Sequence, residues 1–321
     1  MEESVSTGNF QGNKEFIMKL VTGLLVAALS VPVSAGLIRH DTPDSWYTGF
    51  AKDPAFSGVG LIIGDSADSS YSCSGTVIRK NWVLTAGHCV NQAQAMSFYL
   101  PDETGWRFYE ADSWIAHENY AESNLFGGWD IGLMHFDTEL DATPAPLYSG
   151  KDEWLSLSAS VGFGFTGNGD TGMQYMDYQA RAGTNIVDDL WSSEGSGDQI
   201  LWSDFDHPTD ASFNALDFLG VDFDDLATVL EIMIAPGDSG GGVFIYEDGQ
   251  TYLAGVHSFI YDLNNNGVFG YGDAYASTRV SGFVDWINGK VAVRDVPESG
   301  GGALLLVGLL GLLAQRSRKP A

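Results

Sequence analysis

The sequence predicts an all-β domain, either a sandwich or a barrel, closed by one helix at its C-terminal end. Two observations carry this expectation. Short apolar runs recur at residues 59–63, 75–78, 82–84, 131–134, 242–246 and 252–256, separated by Gly, Asp, Asn and Ser turns. A lone amphipathic stretch, residues 280–291, sets Phe283, Trp286 and Ile287 at helical spacing. There is no internal repeat of fixed period, and residues 192–225 read as a loop-rich, acidic segment.

Composition narrows the function classes. The 321 residues hold 15 Lys and Arg against 42 Asp and Glu, a formal charge of −27. A surface this negative repels phosphate backbones and anionic lipid, so nucleic acid is not an expected partner. An apolar share of 44% is ordinary for a globular chain and leaves ample material for a core. Two cysteines rule out a disulfide-dense scaffold or a thiolate metal cluster, and leave room for a single disulfide in an oxidising compartment.

The two ends read as addresses. Met18 and Lys19 precede an apolar run at residues 20–31, and Val33, Ser34 and Ala35 supply the small residues that signal peptidase reads. Residues 1–35 are therefore the expected leader, with translation starting at Met18. At the other end, residues 297–302 lead into an apolar run at 303–314, followed by Arg316, Arg318 and Lys319. As a helix that run measures about 18 Å, short of the roughly 30 Å a stable span requires. Residues 295–321 resemble the bacterial sorting tails of the PEP-CTERM and VPDSG-CTERM type, which implies a transient membrane tether removed by a processing enzyme. A permanent single-pass transmembrane helix is the competing reading, and length argues against it. The two ends carry five basic and five acidic residues, so the charge of −27 belongs to residues 36–294.

Three segments in this middle carry chemistry: Thr85-Ala86-Gly87-His88-Cys89, Asp130-Ile131-Gly132-Leu133 and Gly237-Asp238-Ser239-Gly240-Gly241. Taken singly, His88 reads as a core histidine and Asp130 as a turn acid. Taken together, they resemble the histidine, aspartate and nucleophile motifs of the trypsin-like (chymotrypsin-fold) serine peptidases. Gly87 stands where that family has Ala, and Gly242 where it has Pro. Gly162-Phe163-Gly164 resembles its Gly-Trp-Gly and His257-Ser258-Phe259 its Ser-Trp segment, so the likeness runs from about residue 59 to 287.

The resemblance implies two six-stranded antiparallel Greek-key barrels with a C-terminal helix. It also implies hydrolysis of peptide bonds through an acyl-enzyme. A serine hydroxyl needs a base in reach, a part that falls to His88, with Asp130 holding the imidazole tautomer and Ser239 as nucleophile. The N–H groups of Gly237 and Ser239 would face the developing oxyanion. Cys73 and Cys89 would form the disulfide bracketing the histidine loop. Asp238 would pair with a new N-terminal ammonium, for which Ile38 is the candidate.

The position six before the nucleophile, the pocket floor in this family, is Met233, with Ser258 and Tyr275 beside it; the resemblance also implies a supporting hydrogen bond between Ser258 and Asp130. An apolar floor cannot neutralise Lys or Arg, so an apolar or small preference is expected. Residues 262–273 fit two readings. As a calcium loop, Asp262, Asn264, Asn266, the Val268 carbonyl and Asp273 would be the ligands of a structural Ca2+; as an Asn/Gly-rich surface turn they would bind nothing. Catalysis itself requires no cofactor. The expectation is thus an exported, monomeric serine endopeptidase, secreted or at the cell surface, acting on protein or peptide substrates. The competing reading is a binding or adhesion protein on a catalytically silent peptidase fold, against which the complete set of His88, Asp130 and Ser239 speaks.

Overall fold

A computed structural model describes residues 36–103, 105–213 and 227–295. The expected leader and the apolar run at 303–314 lie outside the described residues. Among the described residues no helix is long and apolar enough to cross a membrane.

Two curled antiparallel sheets dominate, as expected, and the fold is chymotrypsin-like. The first contains β2 (Val59–Asp65), β3 (Ser70–Arg79), β4 (Trp82–Thr85), β5 (Ala95–Asp102), β6 (Gly105–Glu110), β7 (Ser113–Ala116) and β8 (Gly132–His135), in the order β6-β5-β2-β3-β4-β8-β7. The second contains β9 (Leu157–Gly162), β12 (Arg181–Ile186), β13 (Asp189–Leu190), β14 (Ile200–Asp204), β16 (Gly242–Glu247), β17 (Gln250–Tyr261) and β18 (Ala274–Arg279), in the order β12-β9-β16-β17-β18-β14-β13. Each main sheet thus has seven strands where six were expected. A smaller sheet joins β11 (Gly172–Met176), β10 (Phe165–Asn168), β1 (Gly36–Ile38) and β15 (Ile232–Met233). In it β1 pairs parallel to β10 and antiparallel to β15, so the N-terminal strand ties two otherwise separate strands together.

All six apolar runs fall in strands of the two main sheets, except that Ile131 stands one residue ahead of β8. The loop-rich reading of residues 192–225 needs correction, because β14 lies inside it. Every residue of β14 is buried, which removes the in-out alternation that marks a strand in sequence. The amphipathic stretch begins with a 3-10 turn, Val280–Gly282, and becomes α-helical only over Val284–Asp295. Its buried side chains, Val280, Phe283, Ile287 and Val291, keep the three-to-four spacing that seats one helix face on the core. That core draws on both main sheets, with Phe56 and Phe244 meeting at a ring separation of 5.0 Å.

Candidate active site

His88 sits on a one-turn helix, Gly87–Val90, that starts as soon as β4 ends. A Cβ on Gly87 would lie 3.1 Å from the Ile131 backbone and from the Tyr120 ring, which accounts for glycine at this place. The Cys73–Cys89 disulfide anchors the same turn to β3, and the Tyr71 hydroxyl donates to the Cys89 carbonyl at 2.6 Å.

Asp130 is 1% exposed and fully engaged. Its Oδ1 accepts the His88 backbone N–H at 2.8 Å, while Oδ2 lies 2.8 Å from His88 Nδ1 and accepts the Ser258 hydroxyl at 2.5 Å. Burial alone would raise the Asp130 pKa, but the imidazole and these donors hold it below the ordinary carboxylate value. For His88, burial works downward and the Asp130 charge upward; the charge wins and the pKa is raised. An ionised Asp130 can only accept, so Nδ1 carries the proton and Nε2 keeps a free lone pair.

Ser258 reaches Asp130 because the β17–β18 register shifts between His257 and Phe259, a bulge that re-aims one side chain. Ser258 thus supports the buried acid. Met233 and Tyr275 are buried together in one apolar cluster with Leu37, Phe205, Ile234 and Tyr271. The Tyr275 hydroxyl is bonded to Ser160 at 3.2 Å.

Ser239 lies on the turn between β15 and β16. Gly237 and Gly240 have φ of +96° and +83°, values that favour glycine. A Cβ on Gly240 would lie 2.0 Å from Thr85 Oγ1 and 3.0 Å from the Ala86 nitrogen, so the nucleophile turn presses against the residues leading into His88. Ser74, which sequence reasoning missed, stitches the two together. Its N–H donates to the Ser239 carbonyl at 2.7 Å, its hydroxyl donates to the Gly237 carbonyl at 2.8 Å, and its own carbonyl accepts Thr85 Oγ1. Among the described residues, the N–H groups of Gly237 and Ser239 donate to no protein acceptor.

In the intact chain Asp238 is held by backbone donors. Its Oδ1 accepts the Gly164 N–H at 2.7 Å and its Oδ2 the Ala235 N–H at 2.8 Å. Burial pushes its pKa up to about 7. In the same intact chain Ile38 is the last residue of β1, opposite Ile232, with its carbonyl accepting the Gly169 N–H. In the intact chain the turn is therefore shaped by backbone N–H donors. Gly162 and Gly164 make room for this, since a Cβ at either would come within 2.3 or 2.6 Å of the Asp238 carboxyl.

Residues 262–273 close on themselves. Asp262 accepts from the Asn266 and Gly267 N–H groups, Asn264 accepts from the Asn266 N–H, and Asn266 accepts from the Val268 N–H. Asp273 is wholly buried, accepts from Leu263, Gly270 and the Asn264 amide, and has a pKa raised by burial. These are the contacts of an Asx-rich turn.

The family model described as Trypsin matches residues 55–175, which include His88 and Asp130. The chain is similar to trypsin-like serine peptidases. Chymotrypsin-like elastase family member 1 of Bos taurus is 24% identical over 76% of this chain and 88% of its own length. Serine protease 1 of Drosophila melanogaster is 25% identical over 75% and 84%, and a chymotrypsin of Phaedon cochleariae is 29% identical over 33% and 43%.

Proposed function

We propose that this chain is an exported serine endopeptidase in which Ser239 attacks the scissile carbonyl. His88 takes the serine proton through Nε2 and returns it to the leaving amine, while Asp130 fixes the tautomer and stabilises the transient imidazolium. The observation that carries the reading is the buried Asp130, which spends one oxygen on the His88 backbone and the other on Nδ1 and Ser258. A silent binding fold has no need of so fully committed an acid. The N–H groups of Gly237 and Ser239 form the oxyanion hole, on a turn held by Gly164 and Ala235 through Asp238. The elastase-named relatives and the apolar Met233–Tyr275 cluster support a preference for small or apolar side chains before the cut.

Export accords with the disulfide, with residues 1–35 as the leader, 36–294 as the peptidase domain and 295–321 as the tail, processed after transient tethering. A structural Ca2+ at residues 262–273 is the subsidiary proposal. If chelation alters neither thermal stability nor activity, that site is discarded. The test of the main reading is hydrolysis of a mixed peptide library by the wild-type protein and by His88→Ala. Cleavage after small or apolar residues, lost in the variant, supports it; equal hydrolysis by both proteins contradicts it, and dominant cleavage after Arg contradicts the assigned preference.

A further inference from the structure

His40, Asp170 and His207 come from three distant parts of the chain, yet their ligand atoms all lie within 4.8 Å of one another. We propose that they form a surface site for a divalent transition-metal ion of the zinc class. The fold itself brings them together. In the parallel β1–β10 pair Ile38 stands opposite Asn168, so two residues further along His40 meets Asp170, with Nδ1 3.5 Å from Oδ2. His207 follows β14 and is fixed by its neighbour Phe205, whose N–H and carbonyl bond to Asp273 and Gly272.

Tyr271 serves both rings from beneath. It is 4% exposed, packs edge-on to His207 at 4.7 Å and to His40 at 5.7 Å, and stacks on Phe205. Its hydroxyl accepts the His40 backbone N–H at 3.0 Å and lies 2.9 Å from His40 Nδ1. Tyr271 thus holds the His40 backbone in place, while its hydroxyl shares Nδ1 and gives up that one hydrogen bond when a metal ion takes the nitrogen.

Two imidazoles and one carboxylate form a donor set for Zn2+, Co2+, Ni2+ or Cu2+, whereas Mg2+ and Ca2+ prefer all-oxygen cages. Bonds of about 2.0–2.2 Å at tetrahedral angles need ligand atoms roughly 3.3–3.5 Å apart. The His40–Asp170 pair already meets that spacing; His207, whose Nδ1 accepts the Thr209 N–H and whose ring stacks on Phe213, offers Nε2, and a small side-chain shift closes the remaining distance of at most 4.8 Å. Water fills the remaining position, since the site opens to solvent. A second constellation, Asp112, His135 and Asp137, lacks this freedom: both ring nitrogens of His135 are already engaged, by Asp112 and by Asn81. An ion at His40 would clamp β1 to the turn between β10 and β11 and to the segment after β14, stiffening the apolar cluster around Met233. The site does not depend on the chain being a peptidase.

The test uses the mature chain, stripped by chelation, titrated calorimetrically with Zn2+ and in a separate arm with Ca2+. The expected result is one saturable Zn2+ equivalent with a rise in melting temperature, and no competition from Ca2+. The expected loss of Zn2+ affinity is at least about tenfold in His40→Gln and in His207→Gln, with no loss in Tyr271→Phe, where no hydroxyl competes for Nδ1. Spectroscopy of the Cu2+-loaded wild-type protein gives an answer without any variant, and two coordinated imidazoles are expected. Absence of a Zn2+ equivalent, unchanged affinity in the folded histidine variants, or a Cu2+ spectrum without imidazole nitrogen overturns the proposal.

Discussion

The sheet that carries His88 and Asp130 and the sheet that leads out of Ser239 hold their buried acids in different ways. In the first, Asp130 is paired with a histidine and its pKa is lowered; Asp112 likewise meets His135 at 2.6 Å. In the second, burial pushes Asp188 up to about 9, next to the Asp204 carboxylate, Glu231 up to about 8 and Asp238 up to about 7. The reason lies in the supply of cations, since 15 Lys and Arg cannot serve 42 acids. Among the described residues the two buried arginines are already shared: Arg181 binds Asp44 and Asp177, and Arg279 binds Glu153 and Asp198. Asp130 is thus built to stay ionised, while Asp188, Glu231 and Asp238 are tolerated best as neutral groups.

The sharpest way to break this contrast is to neutralise one acid on each side. Asp130→Asn should lower kcat by about four orders of magnitude, because the imidazole then favours the wrong tautomer. Asp188→Asn should leave kcat almost unchanged. Similar losses in both variants, measured on one peptide substrate, would erase the distinction.

A second contrast concerns covalent support. Cys73 and Cys89 close a loop of 16 positions in the first sheet and account for both cysteines. Replacing both with serine should cost on the order of 3 kcal/mol in urea unfolding. A cost near zero would mean that the hydrogen bonds of Tyr71 and Ser74 suffice to hold the His88 turn.

The third prediction concerns pH. Asp188, Glu231 and Asp238 have folded pKa values above the unfolded carboxylate range near 4. Above that range the unfolded chain has released protons that the native chain still holds, so stability falls as pH rises toward about 7 to 9. Asp130 works oppositely, its contribution being present at neutral pH and lost only as pH falls through its lowered pKa. His88, with a raised pKa, stabilises below about 6.5 and loses that contribution as pH climbs past its folded value. The melting temperature should therefore decline from pH 5 to pH 9, less steeply in Glu231→Gln. A rising curve would contradict the assignment of neutral buried acids.

The smallest effect is expected at the exposed pair of Lys290 and Glu118 on the C-terminal helix. Lys290→Ala should change stability by about 0.5 kcal/mol or less, since solvent screens the pair. A larger loss would point to packing of the Lys290 stem on Trp286, which it overlies.

Much of the candidate site was legible because its chemistry depends on residues close in sequence. His88 follows β4 directly, and the glycines around Ser239 mark a turn with positive φ. Other parts depend on contacts that cross the chain. Ser74 looks like any strand serine until the fold sets it against the Gly237 and Ser239 carbonyls. The glycines at 162 and 164 resembled a family motif, yet their reason, the room Asp238 needs, appears only in three dimensions. β14 escaped notice because complete burial erases alternation, and β1 because three residues carry no period. Ser258, expected from the resemblance to lend Asp130 a hydrogen bond, donates to its Oδ2, while the burial of Met233 with Tyr275 appears only in three dimensions.

The central claim is that Ser239 is a nucleophile activated by His88. Labelling of the mature protein with a fluorophosphonate probe tests it most directly. Stoichiometric labelling of the wild-type chain at pH 8, abolished by Ser239→Ala, is the predicted result. A wild-type chain that remains unlabelled, or labelling that persists in the folded Ser239→Ala variant, would contradict it.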